Sequence, residues 1–151
     1  MKRIMIDHEK CNGCLSCYVA CMHAHRSDDG SLYDLDLTDG INESRNTIKT
    51  AADDDAACYF PLICRHCDDP DCVATCMSGT MTKNPENGLV LYDKEKCASC
   101  FMCIMNCPFG ILKPDDKTNT YVIKCDFCTH DPEGPNCVRA CPTKSIYLKE
   151  V

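Results

Sequence analysis

The sequence predicts an α+β fold of two small units, each made of short helices and hairpins, with one unit nested inside the other. Three observations predict it. Sixteen of the seventeen cysteines fall into four runs. Short alternating segments of strand character flank the runs. Strong turn sequences separate those segments, and a long stretch keeps the first run apart from the second.

The runs come first because they dictate the rest. The first is Cys11, Cys14, Cys17 and Cys21, with gaps of two, two and three residues. The third, Cys97, Cys100, Cys103 and Cys107, has the same gaps and is followed by Pro108. The second, Cys64, Cys67, Cys72 and Cys76, has gaps of two, four and three. The fourth, Cys125, Cys128, Cys137 and Cys141, has gaps of two, eight and three, followed by Pro142. A two-two-three run closed by Cys-Pro is the bacterial ferredoxin pattern for 4Fe–4S clusters. Two-residue gaps let a loop curl round one cluster, and the fourth cysteine lies one helical turn beyond the third. In two-cluster ferredoxins that fourth cysteine ligates the neighbouring cluster, so motifs work in pairs. Sixteen ligands at four per cluster imply four 4Fe–4S clusters. Structural zinc fits poorly, because zinc sites use two close pairs across a longer loop, often with histidine. A disulfide framework has no secretion signal to support it, and covalent haem lacks its C-x-x-C-H motif.

The flanking elements follow in order. Residues 3–7 alternate as a strand ahead of motif one, and residues 46–50 have strand character within the long stretch 22–63. In that stretch Asp28-Asp29-Gly30 and Asp53-Asp54-Asp55 read as exposed turns. The stretch serves as a plain connector or carries partner contacts. A strand at 59–63 leads into motif two. Asn84-Pro85-Glu86-Asn87-Gly88 makes a hairpin turn, and a strand at 88–92 leads into motif three. Residues 110–113 leave that motif as a strand. A turn at 114–119 precedes a strand at 121–124 and motif four, which a strand at 145–149 follows. Motifs two and three thus hold a strand on either outer side and form a complete unit, 58–114. Motif one keeps only a leading strand and motif four only a trailing one. These would pair if 1–57 and 115–151 form an outer unit. The rival pairing, one with two and three with four, must span 42 residues, long for a hairpin connection.

Composition bounds the class. There is no Trp, with four Phe and six Tyr, so a core this poor in large side chains needs a metal or disulfide staple. Formal charge is −7 with neutral thiols; four oxidised clusters with their thiolates bring the loaded chain to about −15. That sign argues against nucleic acid. No apolar run approaches the roughly 20 residues of a membrane span. Met1-Lys2-Arg3-Ile4 leads straight into motif one and leaves no room for an export signal. A cytoplasmic setting in a cell growing without oxygen is therefore expected.

The four quartets, together with Cys64-Arg65-His66-Cys67-Asp68-Asp69-Pro70-Asp71-Cys72 and Cys103-Ile104-Met105-Asn106-Cys107-Pro108-Phe109-Gly110, resemble a known family over nearly the whole chain. It is the group of four-cluster electron-transfer subunits that includes the iron–sulfur subunits of dimethyl sulfoxide reductase and formate dehydrogenase. The short form is most similar to the soluble subset serving carbon monoxide dehydrogenases, tungsten aldehyde oxidoreductases, formate dehydrogenases and hydrogenases. The resemblance implies nested pairing and four ligand sets. These are Cys11, Cys14, Cys17 with Cys141; Cys125, Cys128, Cys137 with Cys21; Cys64, Cys67, Cys72 with Cys107; and Cys97, Cys100, Cys103 with Cys76. Met22 and Met77 depart from the proline that often follows the fourth cysteine. The implied function is a non-catalytic relay of single electrons between a low-potential catalytic oxidoreductase partner and a ferredoxin or flavoprotein. A redox-sensing module is the alternative, though no spare effector domain is visible. An enzyme would need an iron with an open site, and complete quartets leave none. No Gly-rich phosphate loop appears.

Other residues are read more plainly. Cys58, the odd cysteine, is either a redox thiol or a small buried apolar residue beside Tyr59 and Phe60, and the second reading is preferred. Arg65 and His66 either donate hydrogen bonds toward a cluster or face solvent. His8, His23, His25 and His130 lack ligand spacing. Tyr18, Phe101, Phe109 and Phe127 are expected to shield clusters from water. Lys124, Arg139 and Lys144 either pair with an acidic partner or are plain solvated charges, the second being the reading taken.

Overall fold

Short elements dominate, because so much of the chain is committed to tight cysteine loops. The computed structural model describes residues 2–26, 28–38, 43–53 and 56–151, and the side chains at 52, 53, 56 and 57 are outside that description. Met1 and the Asp54-Asp55 part of one expected turn also lie outside the described residues. The elements run β1 (Lys2–Ile6), α1 (Ser16–Ala24), β2 (Thr47–Asp53), β3 (Ala56–Leu62), α2 (Asp71–Ala74), β4 (Met81–Lys83), β5 (Val90–Tyr92), α3 (Met102–Met105), β6 (Lys113–Pro114), β7 (Val122–Ile123), α4 (Asn136–Arg139) and β8 (Ile146–Glu150). This is a small mixed helix-and-strand fold. No helix among the described residues is long and apolar enough to cross a membrane.

The strands form four separate antiparallel pairs, β1 with β8, β2 with β3, β4 with β5 and β6 with β7. β1 and β8 join the two ends of the chain, with Ile4 opposite Leu148 and Ile6 opposite Ile146. The hairpin between β4 and β5 closes where the Gly88 N–H donates to the Asn84 carbonyl at 2.9 Å, and Gly88 holds a φ of +67°. That left-handed residue delays β5 to Val90.

The flanking strands of the inner segment pair differently from a closed unit. β3 takes β2 as partner and β6 takes β7. β6 is two residues long and ends in Pro114, which has no N–H for a ladder. The nearby turn at 115–121 offers β7 at little loop-closure cost. Asp115 builds that turn while almost fully buried. Its carboxylate accepts from the Thr118 N–H and hydroxyl and from the Thr120 and Tyr121 N–H groups, at 2.6–3.1 Å. Ile111 and Leu112, expected in a strand, are instead buried side chains of the inner core.

Two small cores result. One gathers Met81, Val90, Cys103, Ile111, Leu112 and Val122. The other gathers Ile4, Cys17, Ile63, Cys137 and Ile146. α1 packs on α4, and α2 on α3. Among the described residues fifteen hydrophobic side chains are buried and five are cysteines, so a third of this core is thiol.

The stretch after α1 is more than a connector. Glu43, Ser44 and Asn46 are buried. Asn46 Nδ2 donates to the Cys17 carbonyl at 3.0 Å, and Arg45 pairs with Asp126 at 2.7 Å. Glu43 pairs with Lys113 Nζ at 2.7 Å and accepts from the Asp116 N–H. Residues 43–46 therefore clasp motif one to motif four and to the 113–116 turn.

Cys58 is exposed, not buried. Period-two alternation puts Cys58 and Phe60 on one face of the β2–β3 ribbon, with Cys58 opposite Ala51. Tyr59 on the other face covers Gly13, where any side chain would collide with the tyrosine ring. On the Cys58 face His8 stacks on Phe60 at 5.6 Å, while Cys58 stays exposed. Cys58→Ser should accordingly leave iron content unchanged and stability within about 0.5 kcal/mol, as read from iron analysis and thermal denaturation of the loaded protein.

Candidate functional site

Each cysteine loop turns at the same place. The residue just before the second cysteine adopts left-handed backbone in all four motifs: Gly13 at φ +71°, His66 at +45°, Ser99 at +54° and Phe127 at +63°. This turn bends the chain so that successive thiols converge on one side. For a non-glycine residue the conformation costs roughly 1–2 kcal/mol, so three of the four loops hold it against intrinsic preference. In motifs one and three the residue after the second cysteine is left-handed as well, Leu15 at +60° and Phe101 at +55°, each at the start of a helix. Only Gly13 signals this geometry in the sequence.

The thiols gather by electrostatic reach. Burial first, then the neighbouring Cys141, Cys11 and Cys14, push the Cys17 thiol up to about 12. Burial first, then Cys64 and Cys107, raise Cys67. Burial raises Cys72 to about 11 with Cys64, Cys107 and Cys103 nearby. One cavity is lined by Cys64, Cys67, Cys72 and Cys107 together. Cys76 and Cys97 lie beside Cys103. Cys21 and Cys128 lie beside Cys137, which burial also raises. Cys14 and Cys100, the second cysteines of motifs one and three, are exposed, whereas Cys67 and Cys128 are partly or fully covered. Crowded thiols that resist ionising need a cation that replaces their protons.

Three of the fourth cysteines sit in nests of donors. Burial pushes Cys76 up, but the Thr80 hydroxyl at 3.4 Å, the Met81 N–H at 3.5 Å and the Ser78 hydroxyl outweigh it and bring the thiol down to about 7. Cys141 is lowered in the same way, against burial, by the Ile146 N–H and the Thr143 hydroxyl. Cys21 is lowered against burial by His25 and by the Arg45 N–H at 3.3 Å. Soft thiol donors in quartets, with N–H and O–H groups aimed at sulfur, fit iron–sulfur clusters.

The surroundings correct several readings. Lys124 is buried rather than solvated, and its ammonium donates to the Val90 carbonyl at 2.6 Å and the Cys125 carbonyl at 2.8 Å. His66 is buried rather than solvent-facing. Burial, with Lys124, Lys83 and Arg3 nearby, drives its imidazole down to about 3 and keeps it neutral. His25 is the opposite case. Burial pushes it down, yet Asp126 at 3.0 Å and Cys21 outweigh it and bring it up to about 9. Both of its ring nitrogens face acceptors, the Cys21 carbonyl and the Asp126 carboxylate. Arg65 is exposed and lies over the Phe109 ring. Phe101 and Phe127 pack against the two cores. Met22 is buried and Met77 is exposed.

Comparison with known proteins points the same way. The model of the 4Fe-4S dicluster domain matches residues 55–151. A sulfite dehydrogenase subunit of Allochromatium vinosum is 30% identical, over 98% of this chain and 68% of that protein. The beta subunit of the NADH-dependent phenylglyoxylate dehydrogenase of Aromatoleum evansii is 34% identical, over 92% of this chain and 28% of that protein. Electron transport protein HydN of Escherichia coli (strain K12) is 28% identical, over 95% of this chain and 85% of that protein.

Proposed function

The chain belongs to the 4Fe-4S dicluster family, and from that premise we propose that its sixteen clustered cysteines hold four clusters in a single line. It is an iron–sulfur electron-transfer protein related to subunits of oxidoreductases. The proposed ligand sets are Cys11, Cys14, Cys17 and Cys141; Cys125, Cys128, Cys137 and Cys21; Cys64, Cys67, Cys72 and Cys107; and Cys97, Cys100, Cys103 and Cys76. Each cluster, when bound, takes up and releases one electron reversibly.

The order along the line comes from which quartets lie within electrostatic reach of one another. Cys103 of the motif-three group lies within electrostatic reach of Cys72 in the motif-two group. Cys64 of that group reaches Cys125 in the motif-four group. Cys137 of the motif-four group reaches Cys17 in the motif-one group. This succession is the observation that carries the proposal. Its two ends are the groups whose second cysteines, Cys100 and Cys14, stand exposed. Electrons would enter near one and leave near the other. At the inner groups Lys124 is buried and Phe127 packs against the outer core.

The protein's role is then non-catalytic. It passes electrons between a low-potential catalytic oxidoreductase, of the carbon monoxide dehydrogenase, aldehyde oxidoreductase, formate dehydrogenase or hydrogenase class, and a ferredoxin or flavoprotein. The oxidoreductase subunits among its relatives support a catalytic partner.

Anaerobically purified protein should contain about sixteen iron and sixteen sulfide; stoichiometric zinc without sulfide would overturn the reading. In a reconstituted system, a ligand substitution at a middle group, such as Cys72→Ser, should block electron flow while leaving the complex assembled. An unchanged rate on omitting the chain would remove the relay role.

A further inference from the structure

His66 carries a proton with nowhere to go. Its side chain is 3% exposed. The Val90 N–H donates to Nδ1 at 3.0 Å, so Nδ1 is an acceptor and the ring proton sits on Nε2. Nε2 is buried without a hydrogen-bond partner. Buried donors in native structures are satisfied, and an exception calls for an acceptor that belongs there.

The neighbours supply none. Arg3 and Lys83 donate to the His66 carbonyl, at 2.5 and 3.2 Å. Lys124 donates to Val90 and Cys125. Asp126 is engaged by His25 and Arg45. These cations fix the loop and its peptide planes but offer no lone pair. His66 does line the cavity shared by Cys64, Cys67, Cys72 and Cys107.

We propose that the His66 Nε2–H donates a hydrogen bond to a sulfur of the cluster held by Cys64, Cys67, Cys72 and Cys107, and so raises that cluster's reduction potential. The inference rests on the four-cluster reading above. When an electron arrives, negative charge grows on sulfur and the N–H bond to it strengthens; no proton is transferred. His66 is thus a positioning residue at an inner step of the line, where the motif-two and motif-four loops meet. There its ring stands edge-on to Phe127 at 5.8 Å.

Phe127 also supplies the test, because it holds the same left-handed position in motif four. His66→Phe therefore suits the backbone while removing the donor. His66→Gln keeps a donor at similar reach. The full chain would be prepared anaerobically with iron counted, and its reduction steps followed by electron paramagnetic resonance. Histidine labelled with nitrogen-15 would report any coupling to the reduced clusters.

His66→Phe that retains about sixteen irons should shift one step so that the reduced-to-oxidised ratio at its former midpoint falls about tenfold, about 59 mV for one electron. His66→Gln should restore most of that ratio, and the wild-type protein should show a histidine nitrogen coupling that His66→Phe lacks. Full iron with four unmoved steps and no coupling in the wild type overturns the hydrogen bond. If His66→Phe loses iron, His66→Gln with full iron decides. His25 also lies beside a ligand, 3.7 Å from the Cys21 sulfur, so a histidine coupling that His66→Gln removes supports the hydrogen bond and one it leaves undiminished overturns it. A wild-type protein that never reaches about sixteen irons overturns the four-cluster reading and this inference with it, and the iron count separates that failure from the other.

Discussion

Replacing Cys141 by serine is expected to remove about four of sixteen irons and to abolish the cluster whose other proposed ligands are Cys11, Cys14 and Cys17. The two ends of the sequence meet there. β1 pairs with β8, α1 packs on α4, and Cys141 is the foremost charged neighbour of the Cys17 thiol. Serine offers a hard oxygen where iron–sulfur chemistry prefers a soft thiolate. Cys107→Ser is the matched control, since it should disturb the motif-two cluster and spare that of motif one. Iron analysis and the resonance spectrum of each reduced variant distinguish the two. Loss confined to the motif-three cluster in Cys141→Ser would mean that the motifs are paired differently.

Stripping the iron with a chelator, under anaerobic and reducing conditions, should unfold the chain as a whole. A third of the buried hydrophobic side chains are cysteines. Three non-glycine residues, His66, Ser99 and Phe127, hold left-handed turns whose only evident purpose is to converge thiols. Among the described residues none of the four strand pairs joins a larger sheet, and an isolated pair is marginal in water. Without the clusters little remains to offset chain entropy. Amide hydrogen exchange should fall to the unfolded limit across both cores, and the far-ultraviolet signal should lose its cooperative melt. A metal-free chain that still melts cooperatively would show that aliphatic packing suffices.

Much of this architecture was legible because cysteine spacing is rigid chemistry. The strand around Ile4 could be matched with the one around Ile146 because each alternated and each lacked a local partner. Asn84-Pro85-Glu86-Asn87-Gly88 announced its hairpin through turn chemistry alone. The clasp of Glu43, Arg45 and Asn46 was hidden, because its partners are Asp126, Lys113 and main-chain groups distant in sequence. Lys124 misled because a lysine beside a motif normally stays in water, yet here two carbonyls satisfy its ammonium. Cys58 misled because residue type suggests burial, whereas the cover that reaches its ribbon, His8 on Phe60 and Gly13 under Tyr59, leaves Cys58 itself exposed. The donor nests around Cys76 and Cys141 were legible in hindsight, as Ser78 with Thr80 and Thr143 with Ser145 occupy matching positions. Cys107 has Phe109 and Ile111 there instead.

The pairing of the first strand with the last has a bearing on how the protein is made. A ribosome at about 5–20 residues per second makes motif one about 6 to 26 seconds before motif four and β8 are complete to meet it. The middle of the chain, with α2 against α3, can close during that interval. Cys11, Cys14, Cys17 and Cys21 meanwhile wait on a nascent chain with no completed pocket. Their thiols are then open to oxidation and to stray metals. Biogenesis is thus more vulnerable at motif one than at the later motifs, and β8, once it emerges, ends that exposure.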